Sequence, residues 1–140
     1  MPISAKIEYG CRALVELGLN WPKTVPVRLD YIARSQKIPV KFLTHILIQL
    51  KQLGYVESVR GKNGGYLLTR PPAEIRLSDV VQGFEGNHAA AGRSRPGSNT
   101  IIRDIWTEAE GAMMEQLAGI TFGYIINRYR NKNKTLMFDI

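Results

Sequence analysis

The chain has 140 residues, 44% of them apolar, and a net charge of +7. This is room for one compact domain with an extension, and too apolar for a disordered chain. No run approaches the ~20 apolar residues of a membrane helix, and a lone cysteine, Cys11, excludes an intramolecular disulfide or a cluster held by several cysteines of this chain.

The start, MPISAKIEYG, lacks a long apolar core, so no secretory signal is expected and a reducing cytoplasm is the simplest setting. Charge is divided unevenly. Residues 1–70 carry eleven Lys/Arg against four Asp/Glu, whereas residues 71–140 carry eight of each. The whole excess lies in the first half, where a basic field would draw in a polyanion. No basic amphipathic helix stands free of the core pattern, so an anionic membrane is not the expected partner.

Ser4 is placed to cap a first helix through about Leu19. Ile7, Cys11, Leu14 and Gly18 form one stripe and Tyr9, Ala13 and Leu17 another, so this helix should meet more than one neighbour. Pro22 and Pro26 bracket a loop with Trp21 and Val25 as anchors, and Val25 to Arg28 reads as a short strand. Leu29 to Gln36 is a second, short helix with Leu29, Ile32 and Ala33 inward. Gln36-Lys37 turns the chain into a third helix, with Pro39 in its first turn. There Leu43, Ile46, Leu47 and Leu50 face a core, while Lys41, Thr44, His45 and Ile48 fall on the opposite face. Gly54 stands where a helix-ending glycine belongs.

Tyr55 to Val59 and Tyr66 to Thr69 read as strands joined by a turn that holds Gly61, Asn63, Gly64 and Gly65. Arg60, Lys62 and Arg70 place charge in and beside that turn. A helix followed by a cationic hairpin is the arrangement with which a winged helix-turn-helix holds DNA. Pro71 and Pro72 end the hairpin. Ser78 is the expected cap of a short helix with Val80, Val81 and Phe84 inward. Gly86 to Thr100 reads as a flexible linker or surface loop.

Ile102, Trp106, Ala109, Met113, Leu117 and Ile120 then recur at helical steps, with Gly119 at or near the end. A helix of about five turns exceeds what a small winged domain needs, and such a helix pairs with a copy of itself or packs across the first helix of a second subunit. Thr121 should cap a last short helix with Phe122, Ile125 and Ile126, followed by a basic tail that frays. The organisation expected is a DNA-binding domain over residues 1–85, the loop over 86–100, dimerisation and terminal helices over 101–130, and a tail over 131–140. The fold class is α+β, mainly helical.

The chain resembles the bacterial winged-helix regulators of the IscR, NsrR and CymR type (the Rrf-two type). The resemblance runs from Ile3 to about Ile126. Its most specific stretch is SVRGKNGGYLLTRPP, Ser58 to Pro72, followed by IRLSDVV, Ile75 to Val81. ISAKIEYGCRALVEL near the start and ITFGYII near the end support it. The resemblance implies a homodimeric transcription factor on a partly palindromic operator. Its recognition helix enters the major groove, and its wing meets the minor groove or backbone. The matching positions are Pro39, Lys41, Phe42, Thr44 and His45 on the helix, and Arg60, Gly61, Lys62, Gly64, Gly65 and Tyr66 on the wing. Arg28 joins them from the short strand. Relatives often carry serine at the place of Pro39, and glutamate or glutamine at that of Thr44 or His45, so their operator preference does not transfer.

The chain departs from the family's pattern in the sensor. Cluster-binding relatives place three cysteines between the short helix and the long one, where Glu85 to Thr100 holds none. Arg103 stands near a further ligand position, and Glu8 matches an acidic ligand of some relatives. One oxygen donor without thiolates does not hold an iron–sulfur cluster, so none is expected and no other cofactor is indicated.

Each assignment has a plainer alternative. His45 is also readable as an ordinary exposed histidine, Arg60 and Lys62 as turn solubility, Gly64 and Gly65 as structural, and Tyr66 as strand packing. Cys11 reads as a small packing residue, with a redox-sensing thiol activated by Arg12 as the alternative. His88 has no partners for a metal site. Trp106 and Met113 read as dimer or core residues, or as the lining of a small-ligand pocket. Walker A, dinucleotide and nucleophile-elbow motifs are missing, so no enzyme is expected. The reading is a DNA-binding repressor. The alternatives are a winged protein-interaction module and a ligand- or redox-responsive regulator using Cys11.

Overall fold

The computed structural model describes residues 3–86 and 100–138, with side chains through residue 134. Helix α1, Ala5–Leu19, begins as its sequence dictates: the Ser4 hydroxyl accepts the Ile7 N–H at 3.3 Å. Ile7, Ala13, Leu14 and Leu17 are buried, and α1 packs against α2 (Leu29–Gln36), α3 (Val40–Gln52), α4 (Leu77–Glu85) and the terminal helix α6 (Phe122–Phe138). The two apolar stripes anticipated this breadth of contact. Gly10 and Gly18 permit it. A Cβ on Gly10 would stand 2.5 Å from Phe84 Cζ, and one on Gly18 would stand 2.1 Å from Ile126 Cδ1.

Helix α2 stops at Lys37, which turns left-handed at φ 53°, and the Ile38 N–H closes on the Ala33 carbonyl at 2.9 Å. Helix α3 then buries Leu43, Ile46, Leu47 and Leu50, the stripe expected of it. Pro39 lies one residue before the helix, at its N-cap, rather than in the first turn. The hairpin pairs β1, Val56–Val59, with antiparallel β2, Gly65–Leu68, and Val59 stands opposite Gly65. The short strand at Val25 to Arg28 is reduced to a single bridge. Val27 and Tyr66 exchange both backbone hydrogen bonds, at 2.9 and 2.8 Å. Val25 is 69% exposed and only its carbonyl is held, by Asn20 Nδ2 at 2.9 Å, whereas Trp21 is half-buried against the core.

Beyond the hairpin a 3-10 turn, Pro72–Glu74, leads to α4, whose N-cap is Arg76. Ser78 lies inside the helix and is buried, so it is not the cap expected. The start of α4 is held by backbone instead. Leu77 N–H donates to the Ile120 carbonyl and Phe122 N–H to the Ile75 carbonyl, both at 2.9 Å. Helix α5, Ile101–Ala118, is capped by the Thr100 hydroxyl and stops at Gly119. None of its residues is buried, though Met114 and Leu117 pack partly on the core.

Thr121 caps α6 as expected, its hydroxyl accepting the Tyr124 N–H at 3.1 Å. The helix, however, runs to Phe138 rather than fraying after a short stretch. Polarity alone does not end a helix: the run NRYRNKNK contains no glycine or proline, and arginine and lysine are good helix formers. Arg130 also donates to the Leu19 carbonyl at 3.3 Å, which ties this stretch to the end of α1.

One buried carboxylate, Glu16, has no counterpart in the apolar pattern. It is 6% exposed and accepts from the Ser35 hydroxyl and, at 3.0 Å, from Gln36 Nε2. The charge therefore joins α1 to the end of α2. Glu16→Ala strands both donors and is expected to lower stability by about 1–3 kcal/mol. Chemical denaturation of the two proteins measures the difference.

Candidate nucleic-acid interface

The outward face of α3 carries Lys41, Phe42, Thr44, His45 and Ile48, all exposed, with exposed Pro39 and Val40 at its start. Four buried residues hold the opposite face, so the helix is fixed in rotation. Thr44 donates its hydroxyl proton to the Val40 carbonyl at 3.0 Å, which leaves the oxygen lone pairs facing out. At the far end, Lys51 Nζ donates to Ser58 Oγ at 2.8 Å, fastening α3 to β1. Thr69 Oγ1 donates to the Gly54 carbonyl at 2.6 Å, and the Arg70 guanidinium lies 5.4 Å from the Tyr55 ring centroid. One of these contacts ties α3 to β1, and the other two tie the end of the hairpin to the loop between α3 and β1.

A hollow of about 670 Å³ opens between the start of α2 and the hairpin. Arg28, Arg60, Gly61, Lys62, Gly64, Gly65 and Tyr66 all line it, so the structure gathers the wing residues and Arg28 in one place. Arg60 and Lys62 are exposed and have no ion-pair partner among the described residues. Arg28 does have one: its Nε donates to Asp30 Oδ1 at 3.2 Å, and that hydrogen bond holds the Asp30 carboxyl below its usual pKa. Asp30 was not among the residues picked out in the sequence. Its spacing two residues after Arg28 was the available signal.

Gly61 has φ +113°, a conformation that favours glycine. Gly64 and Gly65 answer to crowding instead: added Cβ atoms would stand 2.2 Å from the Val59 carbonyl oxygen and 2.3 Å from that of Val27. Tyr66 is half-buried against the core, so its ring packs beneath the wing while its backbone bridges to Val27.

The six residues marked for dimerisation do not share one environment. Ile102 and Trp106 are 59% and 62% exposed, Ala109 is exposed, and Ile101 and Ile105, which the spacing had not singled out, extend that ridge. Met113 and Leu117 are half-buried on a groove shared with α1, because α5 leans on α4 there. Ile120 lies past the helix end, at the bridge with Leu77.

Cys11 is half-buried on α1. Burial, with the Glu8 carboxylate nearby, pushes its thiol up to about 12. Arg12 does not activate it, since Glu8 and the Gln36 carbonyl engage the guanidinium. Glu8 and Arg103 have no metal-holding group around them among the described residues, and His88 lies outside those residues. No described helix is long and apolar enough to cross a membrane.

The family model described as "Iron-dependent Transcriptional regulator", Rrf2, matches residues 3–128. A Mycobacterium tuberculosis protein described as an HTH-type transcriptional regulator, Rv1287, is 36% identical over 127 residues, covering 86% of this chain and 78% of its own length. The IscR regulator of Klebsiella pneumoniae is 28% identical over 132 residues, covering 91% of this chain and 80% of its own. Among solved structures, T. potens IscR superposes with a TM-score of 0.77 at 28% identity, over 92% of this chain and 88% of that one. CymR of B. subtilis, titled a global cysteine regulator, does so with 0.75 at 26% identity, over 91% and 98%.

Two measurements probe this geometry. Gly65→Ala drives a methyl group into the Val27 carbonyl and should lower stability by about 1–3 kcal/mol, read by thermal or urea unfolding. A thiol reagent should modify Cys11 slowly at neutral pH and faster as the pH climbs towards about 12, because only the thiolate attacks. Rapid modification at pH 7 would contradict the placement of the thiol.

Proposed function

The chain belongs to the Rrf2 family of DNA-binding transcriptional regulators, which are not enzymes, and from that premise we propose that it is a homodimeric repressor reading a partly palindromic operator. The observation that carries the reading is the pair of cations, Arg60 and Lys62, without an ion-pair partner among the described residues, on a loop beside the exposed face of α3. Unpaired wing cations contact phosphate and the narrow groove, and supply affinity that does not depend on sequence. Lys41 acts in the same way from α3. Thr44 and His45 reach base edges, where donors and acceptors distinguish one pair from another. Phe42 and Ile48 supply apolar contact to thymine methyl groups.

The dimer reading rests on the ridge of Ile101, Ile102, Ile105 and Trp106. Four large apolar side chains together in water on one helix are the composition of an interface core rather than of a surface. Two reading heads joined through this helix would meet half-sites about one helical turn apart, roughly 34 Å.

The repressor works without an iron–sulfur cluster, although the family description mentions iron. Supporting this are the single cysteine, its thiol held protonated, and the lack of any cysteine from Glu85 to Thr100. Clusters are held by several thiolates, and this donor set does not fit one. Stoichiometric iron and sulfide in anaerobically purified protein would overturn this point.

Arg60→Ala is expected to weaken binding to all duplexes alike and to reduce the slope of log affinity against log salt by about 1. His45→Ala should instead relax preference at one or two base pairs per half-site, by about 1–3 kcal/mol. Both are read by fluorescence anisotropy on duplexes selected from a random pool. Trp106→Glu should convert the dimer to monomers in sedimentation experiments. Failure of the wild-type protein to retain any duplex at low salt would replace the repressor with a protein-interaction module.

A further inference from the structure

The face that α3 turns outward lacks the usual readers of base edges. From Val40 to Ile48 its exposed residues are Val40, Lys41, Phe42, Thr44, His45 and Ile48, with no arginine, asparagine, glutamine or carboxylate among them. In the major groove arginine is the common paired-bond partner of guanine, asparagine and glutamine of adenine, and a carboxylate accepts from cytosine. Three of the six residues present are large, apolar and half exposed: Val40 at 51%, Phe42 at 55% and Ile48 at 50%. Val40, Thr44 and Ile48 follow one another at four-residue steps, so they form one stripe along the helix, a hydroxyl between two aliphatic side chains. That hydroxyl has a fixed polarity. Its proton goes to the Val40 carbonyl at 3.0 Å, so towards a groove Thr44 Oγ1 only accepts.

We propose that the stripe of Val40, Thr44 and Ile48 selects A·T pairs in the major groove. The aliphatic side chains pack on a thymine methyl, and Thr44 Oγ1 accepts from an adenine amino group. The choice follows from what each base pair displays. An acceptor finds donors on adenine N6 and cytosine N4, and none on the groove edge of guanine. The aliphatic neighbours decide between those two, because thymine, opposite adenine, carries a methyl group that a C·G pair lacks. The occupant is a duplex rather than an apolar protein surface. The Lys51–Ser58 hydrogen bond fastens α3 to the hairpin whose loop carries Arg60 and Lys62, so the stripe shares its frame with cations that suit a phosphate backbone. The operators of this chain are therefore rich in A·T at the positions that α3 meets. This inference rests on the regulator reading above and adds to it the composition of the site.

The test starts from duplexes selected out of a random pool, with affinity read by fluorescence anisotropy. The selected half-sites should share A·T pairs. Uracil in place of thymine removes the methyl group and nothing else. At one or two thymines per half-site it should weaken binding by about fourfold, the contribution of one buried methyl, and elsewhere it should change nothing. The double variant Val40→Ala with Ile48→Ala should bind the thymine and uracil duplexes equally. Thr44→Val keeps the shape and loses the acceptor, and should lose about fivefold or more of the preference for A·T over G·C at one pair per half-site. Thr44→Ser retains the oxygen and should keep that preference. All three positions are exposed, and unfolding curves check that the variants are folded. Equal binding of the wild type to thymine and uracil duplexes would overturn the methyl contact, and an unchanged preference in Thr44→Val would overturn the role of the acceptor. Either result would sink the inference and leave the regulator standing. A wild type that retains no duplex at low salt would overturn the regulator reading and this inference with it, and would give the stripe to a protein partner.

Discussion

The burial of α1 is the constraint on which the structure depends. A helix with apolar residues on several faces must be covered from several directions, and here α2, α3, α4, β2 and α6 all touch it. Each large side chain taken fully out of water contributes about 1.5–3 kcal/mol, so the return of the terminal helix to α1 is a major part of stability. That return needs room. Gly18 lets Ile126 lie against the α1 backbone, and Gly10 does the same for Phe84. A methyl group at either position would force Phe84 or Ile126 to move.

What α1 holds, it also aims. Glu16 and Arg12, one turn apart on α1, grip opposite functions of Gln36: the carboxylate takes its amide and the guanidinium takes its carbonyl. The next residue, Lys37, makes the left-handed turn from which the recognition helix departs. Farther on, the Val27–Tyr66 bridge and the Lys51–Ser58 hydrogen bond fix the hairpin to the same body. The cations of the wing and the polar face of α3 are therefore carried on one rigid frame. Sequence-specific binding needs such a frame, because a base-edge contact displaced by an ångström is lost.

Much of this was legible in the residues. The 3.6-residue spacing of Leu43, Ile46, Leu47 and Leu50 determined which face of α3 would be buried, and so which would be free. The glycines and cations from Arg60 to Gly65 marked the hairpin, since few other sequences turn a chain so tightly. Several of the differences concern partners distant in sequence, though the length of α6 is a matter of local propensity. Ser78 has the chemistry of a cap, but the strand-like bridge at Arg76 and Thr121 already held the helix start. Glu16 belongs to no local pattern, because its donors lie 19 and 20 residues away. Met113 and Leu117 keep the same period as Trp106, yet they share a groove with Leu77 and Val81 of α4 while Trp106 is exposed. Periodicity says that a stripe is covered, and tertiary contact decides by what.

The two hydrogen bonds that join Ile75 to Phe122 and Leu77 to Ile120 close a ring of polypeptide. Helix α4 therefore starts, α5 ends and α6 starts at one knot of backbone, while Phe84 keeps α4 seated on α1. A load placed on the exposed end of α5 is delivered to the roots of both neighbouring helices at once.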